Sequence, residues 1–434
     1  MSANLFEQFR TNLQVANSDA ISNSYRAITK RLNKDFWDID SEEQHCLQVG
    51  SYGRHTAIRD VSDLDMVFEL PQSVYERVSK VNANGPSQLL QEVRKSLKER
   101  YPASDIRAAQ QVVQVHFEKY RIEVLPAFKQ ADGRYRYGDA NDGGSWDNYC
   151  NPRAEINALN TQNKTSNRNL KRVCKMLRAW KNKHGAPMSG MLIDTLVSRF
   201  FQENTSYNDK SYSSYPALTR DVFAFLGNLD EQDYWLAPGS RSRVQTKGKF
   251  QRKAKKAAAK CQDALDAGKD TKKVKLWKEV FGRRFPSLQT DSATKAFVEA
   301  RQDTKTEQFI EDLYPVDIQY SLDIECIVAY AGNEETRYRF MESVFPWLKL
   351  GRSLTFIIVN CNVPEPYEIF WKVRNVGVVA ERRNMIRGHI TRDTGRRQAV
   401  ETTSFGGEHF VECYVIKDGI CVARDLIEVP IEIT

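Results

Sequence analysis

The 434-residue sequence contains no stretch approaching 18 consecutive apolar residues, and its polar start, MSANLFEQFRTNLQ, lacks the shape of a signal peptide. Together these absences argue against a helical membrane protein or a secreted one, and the expectation is a soluble, cytoplasmic chain with no membrane partner. Eight cysteines (Cys46, Cys150, Cys174, Cys261, Cys326, Cys361, Cys413 and Cys421) are scattered without a CxxC, and six histidines are dispersed without an HExxH. A disulfide framework or a zinc centre needs clustering, so reduced thiols are expected instead. Internal repeats and low-complexity tracts are also missing. What is present is 41% hydrophobic and 11% aromatic residues, enough to bury sizeable cores, over a length that suggests two or three domains.

Net charge is +8, and the excess is local: residues 241–260 (RSRVQTKGKFQRKAKKAAAK) carry nine Lys or Arg and no acid. Such a run reads either as a phosphate-facing surface, with nucleic acid as a candidate partner, or as a solvated helix face. Upstream, the apolar spacing Leu5, Phe9, Leu13, Ile21, Tyr25, Ile28, Leu32 predicts one helix over the first ~35 residues. CLQVG (46–50), VSDLDMVFEL (61–70), VVQVHFE (112–118) and YRIEVLPAF (120–128) are strand candidates, with an amphipathic helix at 87–101. From 166 to about 300 the texture is helical. After Pro315 it turns to strands: in VDIQYSLDIECIV (316–328) the even positions are apolar and 317–325 alternate polar, the period of a half-buried strand. Further strands are expected at 353–361, 367–375, 409–417 and 419–433, with Lys417-Asp418-Gly419 as a hairpin turn. The resulting domains are 1–165, 166–305 and 306–434.

The chemistry concentrates in Gly50-Ser51, Asp63-x-Asp65 and Glu123. Residues two apart on a strand share a face, so the Asp63 and Asp65 carboxylates project together, and Glu123 sits in a neighbouring strand candidate opposite in sense to Ile122 and Val124. Hard divalent cations such as Mg²⁺ or Mn²⁺ take oxygen ligands and keep positions open for water and phosphate. Three such carboxylates suit two ions about 4 Å apart that activate a hydroxyl and neutralise a leaving pyrophosphate. Gly50 lets backbone approach phosphate, and free amides with the Ser51 hydroxyl suit a triphosphate. Acids inside an otherwise apolar segment need a reason to be there, and the order strand, GS, helix, strand, DxD, third acid strand supplies one.

GSYGRHTAIRDVSDLDMVFEL followed by YRIEVLPAF resembles the CD-NTase (SMODS) nucleotidyltransferases of bacterial anti-phage defence, relatives of cyclic GMP-AMP synthase and oligoadenylate synthase. The likeness runs through Trp146…Asn151-Pro152 and LKRVCKMLRAWK to SGMLIDTL, covering roughly residues 1–300. It implies a DNA polymerase β-like α/β core (1–165) with a helical nucleotide-binding lobe (166–305). Asp63, Asp65 and Glu123 become the catalytic metal ligands, although the family usually has Asp at the third position. The family's triphosphate-contacting basic pair falls on Lys175 and Arg178. Three residues apart, they share a helix face. Ser189 is a nucleotide contact or an N-cap. The tail is similar to the AGS-C sensor domain, through FIEDLYPVDIQYSLDIEC, PYEIFWKVRNVG, IRGHI and HFVECYVIKDGICVARD, and implies an antiparallel β-sandwich-like C-terminal domain (306–434). Trp371, Lys372, Arg374 and Asn375 are its candidate ligand contacts, Trp371 being a core candidate equally.

The resemblance implies an enzyme joining nucleoside triphosphates (ATP, GTP or dATP) into a short cyclic or linear signal read by an effector protein of the same defence system. Three alternatives stay open at this point. They are a catalytically inactive nucleotide or nucleic-acid sensor, an RNA 3′-end nucleotidyltransferase, and protein-primed DNA oligomer synthesis of the kind found in Hailong defence systems, with Thr434 as the priming hydroxyl.

Overall fold

A computed structural model of the chain describes residues 2–16, 18–59, 61–81, 84–288, 307–329, 335–338, 347–375, 380, 387–404 and 406–432. Thr434, the candidate priming residue, lies outside the described residues. The chain divides into two compact units, one of Met1–Ala179, Gly190–Leu226 and Gln232–Thr246, the other of Trp180–Ser189, Gly227–Glu231 and Lys247–Thr434.

The first unit opens with two helices, α1 (Ser2–Asn12) and α2 (Ser18–Phe36), where periodicity predicts one. Leu13 and Ile21 are both buried, so the apolar spacing continues across the break and gives no sign of it. The restart is marked only by Ser18-Asp19, which places an acid in the first turn of α2, where the helix dipole favours it. A seven-stranded sheet follows. Its order is β1 (Cys46–Gln48), β2 (Asp63–Glu69), β5 (Arg121–Lys129), β4 (Val112–His116), β3 (Ile106–Ala109), with β6 (Tyr135–Asp139) pairing β5 and β7 (Ser145–Cys150) pairing β6. Helices α3 (Gly50–Gly53), α4 (Gln72–Val78) and α5 (Gly85–Arg100) lie between strands in the chain.

The two faces of the central strands differ. Leu64, Met66 and Phe68 of β2, Ile122 and Val124 of β5, and Val113 and Val115 of β4 share one core with Ile28 and Leu32 of α2 and Leu89, Val93 and Leu97 of α5. Period-2 alternation therefore leaves Asp63, Asp65, Arg121 and Glu123 on the opposite face, half-buried. The helices α6 (Pro152–Thr165), α7 (Asn169–His184), α8 (Gly190–Glu203) and α9 (Tyr215–Asn228) follow, then the hairpin β8 (Tyr234–Leu236) and β9 (Arg243–Gln245). The division between units falls inside α7, after Ala179.

In the second unit, α10 (Gln251–Asp266) and α11 (Asp270–Phe281) precede two four-stranded antiparallel sheets. One sheet is ordered β11 (Glu335–Arg337), β10 (Leu322–Ala329), β12 (Ser353–Cys361), β15 (Gln398–Thr402). The other is β14 (Ile390–Arg392), β13 (Glu368–Arg374), β16 (Gly407–Lys417), β17 (Ile420–Ile431). Leu322, Ile324 and Phe356 of the first sheet share a core with Ile369, Val411 and Cys413 of the second, the arrangement of a sandwich. The alternating segment 316–328 is a regular strand only from Leu322. Its first half pairs instead with β17, through a bridge from Val316 to Cys421 and amides of Gln319 and Tyr320 donating to the Val422 carbonyl.

Part of the basic run is engaged in packing and ion pairs. Its helix α10 buries Ala254, Ala257 and Cys261, and Lys249, Lys253 and Lys260 pair with Glu231, Asp425 and Glu279 at 2.7, 3.1 and 2.7 Å. Arg252, Lys255 and Lys256 stay exposed. Among the described residues no helix is long and apolar enough to cross a membrane.

The β16–β17 connection is a two-residue turn, Lys417 pairing with Ile420 and both Asp418 and Gly419 at positive φ (50° and 75°), the backbone that right-twisted hairpins require. A methyl at Gly419 would meet nothing within 4 Å, so Gly419→Ala should cost only the left-handed backbone penalty. A loss of about 1 kcal/mol in urea unfolding is expected.

Candidate active site

β2 and β5 run parallel with Asp63 opposite Arg121 and Asp65 opposite Glu123, so register alone gathers three acids and one base onto a patch two residues long. Arg121 Nε stands 2.9 Å from Asp63 Oδ1 and 3.1 Å from Glu123 Oε1. Glu123 Oε1 also accepts from Gln114 Nε2 at 2.9 Å, Gln114 being its cross-strand partner on β4. Among the described residues no three His, Cys, Asp or Glu side chains converge as a ready metal cage. The Arg121 guanidinium nitrogen lies within ion-pair distance of both the Asp63 and Glu123 carboxylates. Arg121 was not singled out from sequence, although its place two residues before Glu123 puts both on one strand face.

Gly50 and Ser51 sit against this patch. Gly50 adopts φ +61°, and a Cβ there would lie 1.7 Å from Asp65 Oδ2, so the carboxylate rests on the bare glycine backbone. The Val49 amide donates to the Asp65 carbonyl at 3.0 Å, and the Tyr25 hydroxyl donates to the same carbonyl at 2.9 Å. Burial, then the Asp65 charge, push the Tyr25 hydroxyl far above its ordinary pKa, so it remains a donor. After the one-turn helix α3, the Thr56 and Ala57 amides return to the Ser51 carbonyl at 2.9 and 3.0 Å. The Ser51 hydroxyl itself has no hydrogen-bond partner among the described residues.

The basic pair on α7 separates into two roles. Arg178 is 5% exposed and its guanidinium grips Asp194 of α8 at 2.7 and 3.0 Å, with a further bond to the Gly190 carbonyl. Asp194 is fully buried and also accepts from Arg54 Nε and Thr56 Oγ1, both at 2.9 Å. Burial pushes the Asp194 carboxyl up, but the Arg178 and Arg54 charges and their hydrogen bonds outweigh it and hold the pKa at about 2. Asp194 thus ties α7 and α8 to the segment that closes the Gly50-Ser51 turn. Lys175 makes no hydrogen bond or ion pair among the described residues. Burial, then the charges of Arg178, Lys171 and Arg10, lower its pKa. His55, held at φ +57°, is lowered by burial and by Lys171 and Lys175. Lys171 and Lys175 therefore place positive charge beside His55. Arg54, His55, Thr56, Lys171 and Asp194 escaped sequence reading, because their partners are as far apart as 140 positions.

Ser189 belongs to the second unit, directly before the first residue of α8. In the tail, Trp371 is a core residue, 4% exposed, with Nε1 donating to Asp393. Lys372 and Arg374 are spent on a buried ion network: Lys372 pairs with Glu307 at 2.9 Å and Glu412 at 3.4 Å, and Arg374 with Glu307 at 3.2 Å. Glu412 also pairs with Arg424. Asn375, the fourth candidate, lines a cleft.

Comparison with known proteins meets this geometry. Residues 1–163 match the Second Messenger Oligonucleotide or Dinucleotide Synthetase domain, and residues 304–432 the Adenylyl/Guanylyl and SMODS C-terminal sensor domain. Residues 1–163 are thus a SMODS-type nucleotidyltransferase domain, the domain that CD-NTases carry, and residues 304–432 an AGS-C-type sensor domain. A cyclic AMP-AMP-AMP synthase of Acinetobacter sp. is 24% identical over 252 residues, 56% of this chain and 73% of that protein. A probable cyclic nucleotide synthase of Bacillus cereus is 21% identical over 274 residues, 55% of this chain and 81% of that one. The structure of E. coli MS115-1 CdnC with ATP covers 66% of this chain and 99% of its own, at a TM-score of 0.51 and 14% identity. That similarity is one of fold: the polymerase β-like α/β core, here followed by antiparallel sheets. The SMODS domain makes the chain a nucleotidyltransferase enzyme.

Because the Asp194 pKa is depressed from 3.8 to about 2, its contribution to stability is present above about pH 4 and is lost as pH falls through about 2. Asp194→Asn leaves two buried guanidinium groups short of charge, and a loss of about 3–5 kcal/mol near pH 7 is expected. Urea unfolding from pH 7 to pH 2 should show the variant and wild type converging at the acid end.

Proposed function

We propose that this nucleotidyltransferase joins nucleoside triphosphates into a short cyclic or linear oligonucleotide signal for antiviral defence, by phosphoryl transfer on the Asp63, Asp65 and Glu123 face. The observation that carries the reading is the register: two parallel strands set three carboxylates on one face, beside Gly50, where an added Cβ would lie 1.7 Å from Asp65 Oδ2. The donor set fits hard divalent cations, and Arg121 already stands as a positive charge between Asp63 and Glu123. Asp63, Asp65 and Glu123 would hold two Mg²⁺ or Mn²⁺ ions, which supply charge neutralisation and activate the attacking hydroxyl.

The chain's own residues do the rest. Gly50 leaves room for a phosphate beside Asp65, and the Ser51 hydroxyl offers it a donor. Lys175, with Lys171 and His55 close to it, supplies charge to the triphosphate, a role suited to its lack of an acidic partner. Arg178 acts one step removed: through Asp194, Arg54 and Thr56 it fixes the backbone that presents Ser51. The acid triad is intact, which favours catalysis over the inactive-sensor reading. The substrate class is the nucleoside triphosphate, and the effector that reads the product is a separate protein.

Replacing Asp63 and Asp65 together with Ala should leave a folded protein that forms no labelled oligonucleotide from any of the NTPs or dNTPs. Metal-ion stabilisation of developing charge is worth several kcal/mol, so the drop should be ~10³-fold or more. Near-normal turnover in the folded double variant with Mg²⁺ or Mn²⁺ contradicts the proposal. Lys175→Ala should raise KM for triphosphate more than it lowers kcat, whereas an unchanged KM removes Lys175 from the triphosphate site.

A further inference from the structure

Helix α1 is held at two points. The Phe6 ring lies 5.9 Å from that of Tyr215, and the Leu13 carbonyl accepts from the Arg59 amide at 2.9 Å. The Tyr215 hydroxyl in turn donates to Asn169, the first residue of α7, at 2.8 Å. Arg10 stands between the two anchors, beside the buried stripe of Phe6, Phe9 and Leu13. Its turn of α1 is thus fastened both to the start of α7 and to the chain just past His55.

The cations gathered here fall into two groups. Arg172 hydrogen-bonds the Asn167 carbonyl and Asn169 Oδ1, both at 3.3 Å, and lies over the Tyr212 ring. Lys171 donates to Asn160 Oδ1, and Arg54 and Arg178 share Asp194. The side chains of Arg10 and Lys175 differ, since neither makes a hydrogen bond or an ion pair among the described residues. Arg10 Nε is nonetheless closed off from solvent, an arrangement that costs free energy until a partner arrives. The two are neighbours. After burial, it is the charges of Arg178, Lys171 and Arg10 that lower the Lys175 pKa. Burial raises the Tyr212 hydroxyl, and the charges of Arg172 and Arg10 oppose it.

We propose that Arg10 is a second cationic ligand, beside Lys175, for the phosphate chain of a nucleoside triphosphate, an inference that rests on the role given to Lys175 above. Two cations on separate helices repel one another, and a polyanion bridging them turns that repulsion into attraction. A guanidinium adds what an ammonium lacks: a rigid fork that binds two phosphate oxygens at once. A carboxylate ligand carries one charge and suits one cation, whereas a triphosphate carries several and suits both. The other cations of the region already have partners, so these two are the side chains left to meet it.

The test measures, by calorimetry on the full chain with Mg²⁺, binding of the α,β-methylene triphosphates of adenosine, guanosine, cytidine, uridine and deoxyadenosine. Arg10→Met should weaken the tightest of them about tenfold or more, as loss of a hydrogen bond between charged groups does. Arg10→Lys, which keeps the charge, should weaken it less. Because the Arg10 side chain has no partner in the free chain, Arg10→Met should leave the urea midpoint without ligand unchanged or raise it, as replacing a structural arginine would not. Lys175→Ala is the reference. Binding weakened by Lys175→Ala and not by Arg10→Met overturns the proposal and leaves the catalytic reading intact. A lowered urea midpoint in Arg10→Met, with Arg10→Lys binding no better, makes Arg10 a packing residue and overturns it too. Binding weakened by neither Lys175→Ala nor Arg10→Met, or no triphosphate bound by the wild type, removes the assignment of Lys175 itself, and that of Arg10 with it.

Discussion

Carboxylates held on adjacent parallel strands repel one another, and the catalytic unit is arranged around tolerating that repulsion. Asp63, Asp65 and Glu123 share one face because β2 and β5 are in register, and the register is fixed by the opposite face, where Leu64, Met66, Ile122 and Val124 are buried. A slip of one residue would turn the acids into the core and the aliphatics out. The hydrophobic core therefore enforces an electrostatically unfavourable patch. In the structure as it stands Arg121 relieves part of the repulsion and Gln114 holds Glu123.

The same logic explains why the neighbouring turn is so constrained. Gly50 has no side chain because Asp65 fills the space, and the chain beyond it is fastened by a buried carboxylate with two guanidinium partners and a hydroxyl. Burying Asp194 is costly in isolation; here Arg54 and Arg178 more than offset the cost, as its low pKa shows. The result is a firmly held turn at Ser51, beside a Lys175 that makes no ion pair among the described residues.

Much of this was legible in the sequence because strand periodicity is short-ranged. The Asp63-x-Asp65 spacing, the apolar residues between and after it, and the Ile122-Glu123-Val124 alternation each specify a face without reference to anything distant. The strands at 353–361 and 409–417 were readable for the same reason. What escaped depended on pairing across long separations. Nothing local distinguishes Asp194 in SGMLIDTL from a solvated helix acid, and without it Arg178 looks equivalent to Lys175. The two share a helix face, yet one is consumed by an ion pair and the other is not. The division of the N-terminal helix was hidden because Leu13 and Ile21 keep the apolar period across it. Trp371 and Lys372 were equally ambiguous, since partners such as Glu307 and Glu412 lie 65 and 40 positions away.

The central claim is that the β2–β5 face is a two-ion site, and the most direct measurement is a count of Mn²⁺ bound, by electron paramagnetic resonance, in the presence of a non-hydrolysable triphosphate. The account predicts two ions per chain for the wild type, with one retained weakly or none in Glu123→Gln and none in the Asp63→Ala, Asp65→Ala double variant. Two ions bound undiminished after loss of Glu123, or of both aspartates, would contradict it.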